Sequence, residues 1–539
     1  MSGPSRRDLL AGVAALAAAP WTGCREPSPA PLTGSLGGME LAGRGHRVRE
    51  PLAGGHGALD TDEAADVVIV GAGVAGLAAA WRLKQAGFAG TVKRLEISEA
   101  AGGTAASGVG PFGPYALGAH YVTLPNAGNR VMRALLTDLG VLEGGTVHGY
   151  DPMALCFAPQ ERLFHLDRWE EGIWPSTAGA AATAQRRDFE ALVEAWTWRR
   201  GADGLPAFDI PVAGSSRDPT IRALAEVSFG DWLAARGYDA PALLWWLSYG
   251  CRDDYGCDLG EVSAWAGMHY HCARRPAPGE DTETRVLTWP AGNGWLVSRI
   301  DAGLPWPLTG GAVARRVEGG SGQGAGGVRV WYERGGALRG VRAKHVILAV
   351  PTRVADRLVE RPARALTADS APWRVAVLHC ERAPEARGVG VAWDSVVYGA
   401  EDLGYVSSAH QTGSYGGPTA LTWYQPWTGE PRAARRRMLE ASWEEGVEAV
   451  MASLAMAHPT LREVVRRVDV HHWGHGTARP VVGLHTGEAL AQAAAGLEGV
   501  SFAHTDLSGV SLFEEALWHG VRAGEEALAA LEGEVSSLL

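Results

Sequence analysis

The sequence predicts an α/β fold, a parallel sheet flanked by helices, joined to a second α+β domain of mixed sheet and helices. Three observations carry the prediction. Asp66-Val67-Val68-Ile69-Val70 is a β-branched run of the kind buried in parallel sheets, and it leads straight into Gly71-Ala72-Gly73-Val74-Ala75-Gly76 and an Ala-rich helical stretch. A second strand, Thr91-Val92-Lys93-Arg94-Leu95-Glu96, follows at the spacing of one βαβ unit. Strand patterns return at Val286-Leu287-Thr288-Trp289-Pro290, at Val328-Arg329-Val330-Trp331-Tyr332 and at His345-Val346-Ile347-Leu348-Ala349-Val350-Pro351, after a helical, Trp-rich interval.

A chain of 539 residues has room for two or three domains. Apolar content of 46% and charged content of 20% fit a soluble globular protein. The net charge is −11, and Lys84, Lys93 and Lys344 are the only lysines. That balance argues against nucleic acid as a partner and is compatible with a cationic substrate. Twenty-one tryptophans are enough for a core and an aromatic-lined pocket besides. The six cysteines show no metal-ligand spacing, so no metal is expected. Cys251 and Cys257 read either as a disulfide of an oxidising compartment or as two buried thiols.

Taken in order, residues 1–24 read as a targeting segment. Ser5-Arg6-Arg7-Asp8-Leu9-Leu10 is a twin-arginine pattern, and the apolar run after it is too short to span a bilayer. Trp21-Thr22-Gly23-Cys24 resembles a lipoprotein cleavage box with Cys24 as the lipidated residue; a plain small-residue cleavage site serves equally. The expectation is an exported, periplasmic protein, with a lipid anchor if Cys24 is modified. Residues 25–61, rich in Pro, Gly and Ala, read as a flexible linker. The dinucleotide part is expected at 62–129, 286–365 and 465–535, and a substrate-binding part at 130–285 and 366–464. Helices are expected at Phe189 to Arg200, Pro219 to Arg236, Ala433 to Ala457 and Glu514 to Ala530, with short strands between Trp373 and Trp427.

The glycine turn carries a specific chemistry. Gly71 permits the tight turn, Gly73 lets the backbone approach a pyrophosphate, and Gly76 lets the helix pack close to its strand. The helix N-terminus around Ala75 offers free N–H groups and a partial positive charge to phosphates. Glu96 stands where a ribose-binding carboxylate belongs.

Leu95-Glu96, Gly102-Gly103-Thr104 and Leu117-Gly118-Ala119-His120-Tyr121 resemble, in order and spacing, the flavin-containing amine oxidase family. Trp289-Pro290-Ala291-Gly292-Asn293-Gly294-Trp295 and Gly499-Val500-Ser501-Phe502-Ala503-His504-Thr505-Asp506 resemble two further segments of it. The resemblance spans about 66 to 530 and implies a Rossmann-like domain holding FAD. It also implies hydride transfer from a C–H beside an amine nitrogen to the flavin N5. It places Gly71, Gly73, Ala75, Gly76, Gly102, Gly103 and Thr104 near the phosphates, Glu96 at the ribose and Asp506 at the ribityl–phosphate region. The partners it implies are a small-molecule amine, a polyamine among the options, and oxygen or another electron acceptor.

The chain departs from the family in places. Thr104 and Ala100 stand where arginines are usual, so the pyrophosphate charge must be met by backbone N–H groups or by an arginine from elsewhere. His504 and Glu515 replace glycines. Where many members carry a lysine, Arg357 stands here, which leaves a dehydrogenase open beside an oxidase.

Three stretches are candidates for the substrate side. Trp245 to Cys257 runs aromatic residues into Asp253 and Asp254. The two acids could hold an ammonium group, or cap the helix and pair with Arg252. In His471-His472-Trp473-Gly474-His475, Trp473 or His475 is expected to wall an aromatic cage; together with Asp254 they are the catalytic candidates. Adjacent histidines on a strand face opposite ways, which disfavours a metal. Trp423 and Tyr424 could line the pocket or pack the core. The functional readings are an FAD-dependent amine-oxidising enzyme, an FAD-dependent C–C desaturase or porphyrinogen-type oxidase, and a non-catalytic FAD-binding module.

Overall fold

The computed structural model describes residues 31–52, 61–126, 128–143, 149–274, 286–319, 327–360 and 369–539. The twin-arginine pattern at 5–10, the apolar run behind it and Cys24 lie outside the described residues. Residues 33–539 cohere as one unit with two large sheets.

The first sheet grows from β1 (Thr61–Val70), whose residues Val67 to Val70 are at most 4% exposed. Parallel strands flank it on both sides: β2 (Val92–Leu95), and β3 (Ala337–Leu348), which runs beside it from Arg339↔Thr61 to Leu348↔Val70. Leu308–Thr309 continues the sheet beyond β2, and Val500–Phe502 pairs in parallel with β3. Two antiparallel strands, Val328–Arg334 and Val313–Glu318, complete it. Helix α1 (Val74–Gln85) is buried at every position from Val74 to Leu83, which demands cover on more than one side. The C-terminal helix Phe513–Glu532 supplies part of it. A Cβ on Gly520 would come within 2.2 Å of the Ala75 carbonyl oxygen, so glycine is what lets the two helices meet.

The second sheet centres on β4 (Ser370–Cys380), buried along its whole length. It lies between β5 (Thr419–Pro426) and β6 (Val465–Ala478), both antiparallel to it. Beyond β5 come Tyr405–Ser407, Asp394–Val397, Glu161–His165 and Arg168–Glu171. Helix α2 (Pro241–Tyr255) packs Tyr249 and half-buried Trp245 into the apolar cluster on the face of this sheet, with Trp373 and Tyr424. Helix α3 (Ala264–Cys272) packs on α2, its Tyr270 ring filling the space above Gly250.

Several sequence expectations change. The composition of 25–61 suggests a tether, yet Leu36–Gly37 joins the second sheet beside β6 and Met39–His46 is a helix. Backbone pairing and local helix need no apolar period, which is why composition misses them. β6 belongs to the second sheet rather than to the dinucleotide part, and Val286–Thr288 pairs with Tyr121–Thr123 outside both sheets. The helix expected from Ala433 to Ala457 is two, Pro431–Glu440 and Trp443–Ala455, because Ser442 and Glu445 form a capping box that starts a new helix. The helix from Pro219 to Arg236 is likewise broken, with extended Val227 preceding a fresh cap at Ser228. Cys251 and Cys257 are free, buried thiols.

Candidate functional site

The turn after β1 is shaped by three glycines with different jobs. Gly71 has a φ of 98°, and a Cβ there would lie 2.3 Å from the Ala349 carbonyl oxygen at the end of β3. A Cβ on Gly76 would lie 1.9 Å from the Gly71 carbonyl oxygen. Gly73, the N-cap of α1, has an ordinary φ of −67°, and a Cβ there would meet nothing nearer than the Gly103 Cα at 3.9 Å. The space before the helix is thus kept clear, and the first-turn N–H groups around Ala75 have no side-chain cap. That is the cradle a dinucleotide pyrophosphate fits.

The second wall is Gly102-Gly103-Thr104. Gly102 N–H donates to the Ala72 carbonyl at 2.9 Å, and Gly103 adopts a φ of 57°. Thr104 is exposed, and its carbonyl accepts from Ala119 N–H at 3.0 Å, tying the cradle to residues 117–121. Glu96 is buried at the tip of β2. Its Oε2 accepts from Ala72 N–H at 2.6 Å and its Oε1 from Ser98 N–H at 2.9 Å. A carboxylate has about four lone-pair sites, so acceptor capacity remains for a ribose.

Asp506 meets the chain just past the end of β3. Its Oδ2 accepts from Thr352 N–H at 2.9 Å, and its Oδ1 is 3.2 Å from His504 Nδ1. Burial works to raise its pKa, but His504, Arg353 and the Thr352 N–H hold it well below the ordinary carboxylate range. Arg353 is a residue that sequence reasoning missed. Its Nη2 bonds Ser370 Oγ, while its buried Nε has no hydrogen-bond partner. Arg357, one turn on, is exposed. The three lysines lie elsewhere: Lys93 pairs with Glu63, Lys344 with Asp66, and Lys84 follows α1 toward Gly303.

From the cradle, residues 117–121 lead to an aromatic cluster on the face of the second sheet. Trp373 on β4 and Trp473 on β6 are register partners. Trp473 Nε1–H donates to the Leu117 carbonyl at 2.6 Å, and Trp373 Nε1–H to Thr477 Oγ1 at 3.0 Å. Tyr424 stacks near Trp373 at 6.5 Å and meets His120 at 5.1 Å; Trp393 lies 5.5 Å from His120 and 5.9 Å from Tyr121. Tyr424 therefore belongs to this cluster, whereas Trp423, its neighbour on the strand, points the other way. Burial lowers the His120 pKa to about 4, against a raising contribution from the Gly118 carbonyl, 3.1 Å from Nδ1. A carbonyl only accepts, so Nδ1 carries the proton and Nε2 a lone pair.

The two candidate acids of α2 separate. Asp254 forms an ion pair with Arg274 at 2.6 Å and lies 3.5 Å from the Tyr121 hydroxyl. Arg252, its expected partner, instead donates to the carbonyls of Ala400 and Glu401. Asp253 is half-buried, and burial, with Asp254 beside it, raises its pKa. Near it stand two acids with no local sequence signal: Glu161 and Asp394, which are partners on parallel strands. Burial, then Glu161 and Asp253, pushes Asp394 well above the carboxylate range, although Tyr249 O–H donates to its Oδ2 at 3.1 Å. Its other oxygen is buried and unpartnered. Among the described residues Glu161, Asp253 and Asp394 form no ion pair. His475 is exposed, with Arg353, Arg435, Asp506 and His46 as the charged groups around it. His471 stacks on Trp473 while His472 is buried on the opposite face, so the two histidines do not converge.

An NAD(P)-binding Rossmann-like domain is the family whose profile matches, over residues 69–139. No curated protein matches the chain by sequence. Among solved structures, wild-type putrescine oxidase bound to putrescine is similar at 18% identity and a TM-score of 0.61, covering 87% of this chain and 100% of its own. Cyclohexylamine oxidase from Brevibacterium oxydans IH-35A is similar at 17% identity and a TM-score of 0.58, with 86% and 98% covered. A CLA-producing fatty acid isomerase from P. acnes gives 16% and 0.58, with 85% and 97% covered. At such identities the likeness is one of fold: a Rossmann-like dinucleotide unit joined to a mixed-sheet partner, as the sequence predicts.

Proposed function

We propose that this protein is an FAD-dependent oxidoreductase that oxidises an amine, with a polyamine the favoured class. FAD, when bound, supplies two-electron oxidation of a C–H bond beside the nitrogen by accepting a hydride. Gly71, Gly73, Ala75, Gly76, Gly102, Gly103 and Thr104 would hold its pyrophosphate, Glu96 its ribose, and Asp506 the region beyond. Arg353 would supply the positive charge that Thr104 and Ala100 do not.

One observation carries the amine reading. Glu161, Asp253 and Asp394 crowd together beside the aromatic cluster, which would form the chamber for the amine; among the described residues they form no ion pair, and Arg274 and Arg252 act on Asp253 only at longer range. Burial is the first cause of their raised pKa values, and an ammonium group placed among them would favour their ionised forms. The rings of Tyr121, Trp393 and Tyr424 exclude water and can stack on that ammonium. His120 is neutral at pH 7, and its Nε2 lone pair can accept a hydrogen bond from an amine N–H and so orient the nitrogen. Trp473 fixes the 117–121 segment beneath the chamber rather than touching a proton itself, and Asp254 orients Arg274 and Tyr121. The fold shared with the fatty acid isomerase keeps a C–C substrate as the alternative, but three clustered acids suit an apolar chain poorly. The sequence pattern at 5–10 supports export of the folded, cofactor-loaded protein, with oxygen or another acceptor receiving the electrons.

The test is anaerobic flavin bleaching against polyamines, aromatic amines, amino acids and apolar polyenes, followed by air. Bleaching by amines is expected. Bleaching by polyenes alone would replace the amine reading, and a folded protein without bound flavin would remove both.

A further inference from the structure

Residues 33–50 touch both sheets. At their start they are pinned to β6. Val468 N–H donates to the Thr33 carbonyl at 2.9 Å and Val470 N–H to that of Ser35 at 2.8 Å, while Ser35 Oγ donates to Asp469 at 2.7 Å. The approach is so close that a Cβ on Gly34 would sit 1.7 Å from the Val468 carbonyl oxygen, and one on Gly38 2.1 Å from that of His472. The chain then enters the helix Met39–His46 and lands on the first sheet. A Cβ on Gly45 would lie 3.7 Å from Ile97 Cδ1, Arg44 is 3.9 Å from Glu99, and Arg47 is 2.7 Å from Glu333. Arg315 donates to the Glu50 carbonyl at 2.9 Å.

Those landing points border the proposed cofactor path. Ile97 follows Glu96 directly, and His46 is one of the charged groups around His475, beside Asp506. The C-terminal end of the helix, Gly45 and His46, thus stands near the residue that follows the ribose carboxylate and near the surroundings of Asp506, while its N-terminal end starts from His472 on β6. No residue in it is buried, and its ion pairs are exposed ones of the kind worth about 1 kcal/mol or less. A segment held this way opens far more easily than the body beneath it unfolds.

We propose that residues 33–50 form a strap over the nucleotide half of bound FAD, and that the strap must open for the cofactor to enter or leave. The inference rests on the FAD reading above. Its test is the rate of FAD release, read as recovered flavin fluorescence on dilution, in three forms of the full chain. In Ser35→Cys/Asp469→Cys the new pair can be oxidised to lock the strap; the five described native cysteines are buried. In Gly34→Val the added side chain forbids docking, verified by faster hydrogen exchange at Val468 and Val470. Release is expected to be slowest when locked and about tenfold faster than native in Gly34→Val. Equal rates from the locked and reduced forms overturn the proposal. So does a Gly34→Val protein with exchanging Val468 and Val470 amides and the native release rate. A native protein that binds no FAD would instead strike the reading beneath it.

Discussion

The same substitution three residues apart should give opposite phenotypes. A Cβ at Gly76 would stand 1.9 Å from the Gly71 carbonyl oxygen. Ordinary contact is about 3.5 Å, so the backbone must move by about 1.6 Å at the junction of β1 and α1. Overpacking of a rigid core costs roughly 1–3 kcal/mol, and backbone against backbone belongs at the upper end. Gly76→Ala should therefore lower the melting temperature of the cofactor-free protein by several degrees. At Gly73 φ is −67° and the nearest atom to a Cβ is 3.9 Å away. Gly73→Ala should leave cofactor-free stability unchanged or raise it by about 0.5 kcal/mol, since alanine restricts the unfolded chain. The added methyl would occupy the space in which a phosphate must approach the α1 N–H groups. Losing two charge-assisted hydrogen bonds at about 1.5–3 kcal/mol each predicts FAD binding weaker by about 100-fold or more. The assays are thermal melting without cofactor and FAD titration by fluorescence quenching. A Gly73→Ala protein that binds FAD with native affinity would refute the cradle as the pyrophosphate site. A Gly76→Ala protein of native stability would refute the packing argument.

Other substitutions separate the remaining roles. Asp394→Asn should weaken amine binding in anaerobic titrations by about 10-fold or more, the loss of one charged contact, while leaving FAD affinity unchanged. Arg353→Met should weaken FAD about 10- to 100-fold yet leave riboflavin binding unaltered, because riboflavin carries no phosphate. Glu515 is pushed up to about 8 from 4.5, chiefly by burial. Between those values the folded protein holds a proton that the unfolded chain has released, so stability falls as pH rises through the window. Glu515→Gln removes that loss, and its melting temperature relative to native should climb from pH 5 to about pH 8 and then level off. A constant difference across that range would show that Glu515 does not titrate as its burial requires.

The dinucleotide cradle was legible because it is local. Strand, glycines, helix and Glu96 fall within 31 consecutive residues, Asp66 to Glu96, and each has a stereochemical reason to be where it is. The proposed substrate side shows in the sequence only as aromatic residues and one acid pair. Asp253 and Asp254 are equivalent by sequence; Arg274 decides between them by neutralising the second. Glu161 and Asp394 carry no signal at all, since a parallel pairing across more than 200 residues is what brings them together. Trp373 read as a strand residue, and its place beside Trp473 depends on the β4–β6 register. The strap was misread because its helix buries nothing, leaving no apolar period to detect.

The position of β3 has a consequence for how the protein is made. This strand lies between β1 and the Val500–Phe502 strand, so neighbours in space come from residues 61–70, 337–348 and 500–502. Asp506 follows the last of them, and the helix that covers α1 begins at Phe513. A ribosome must therefore release almost the entire polypeptide before the floor, far wall and roof of the cofactor site can coexist. Until then β1 and α1, the most apolar part of the early chain, wait without their partners, a long-range closure that is slow and exposes surface prone to aggregation. Capture of the proposed FAD would on these grounds be a late, post-translational event, so flavin supply should govern the yield of folded protein more than the speed of translation does.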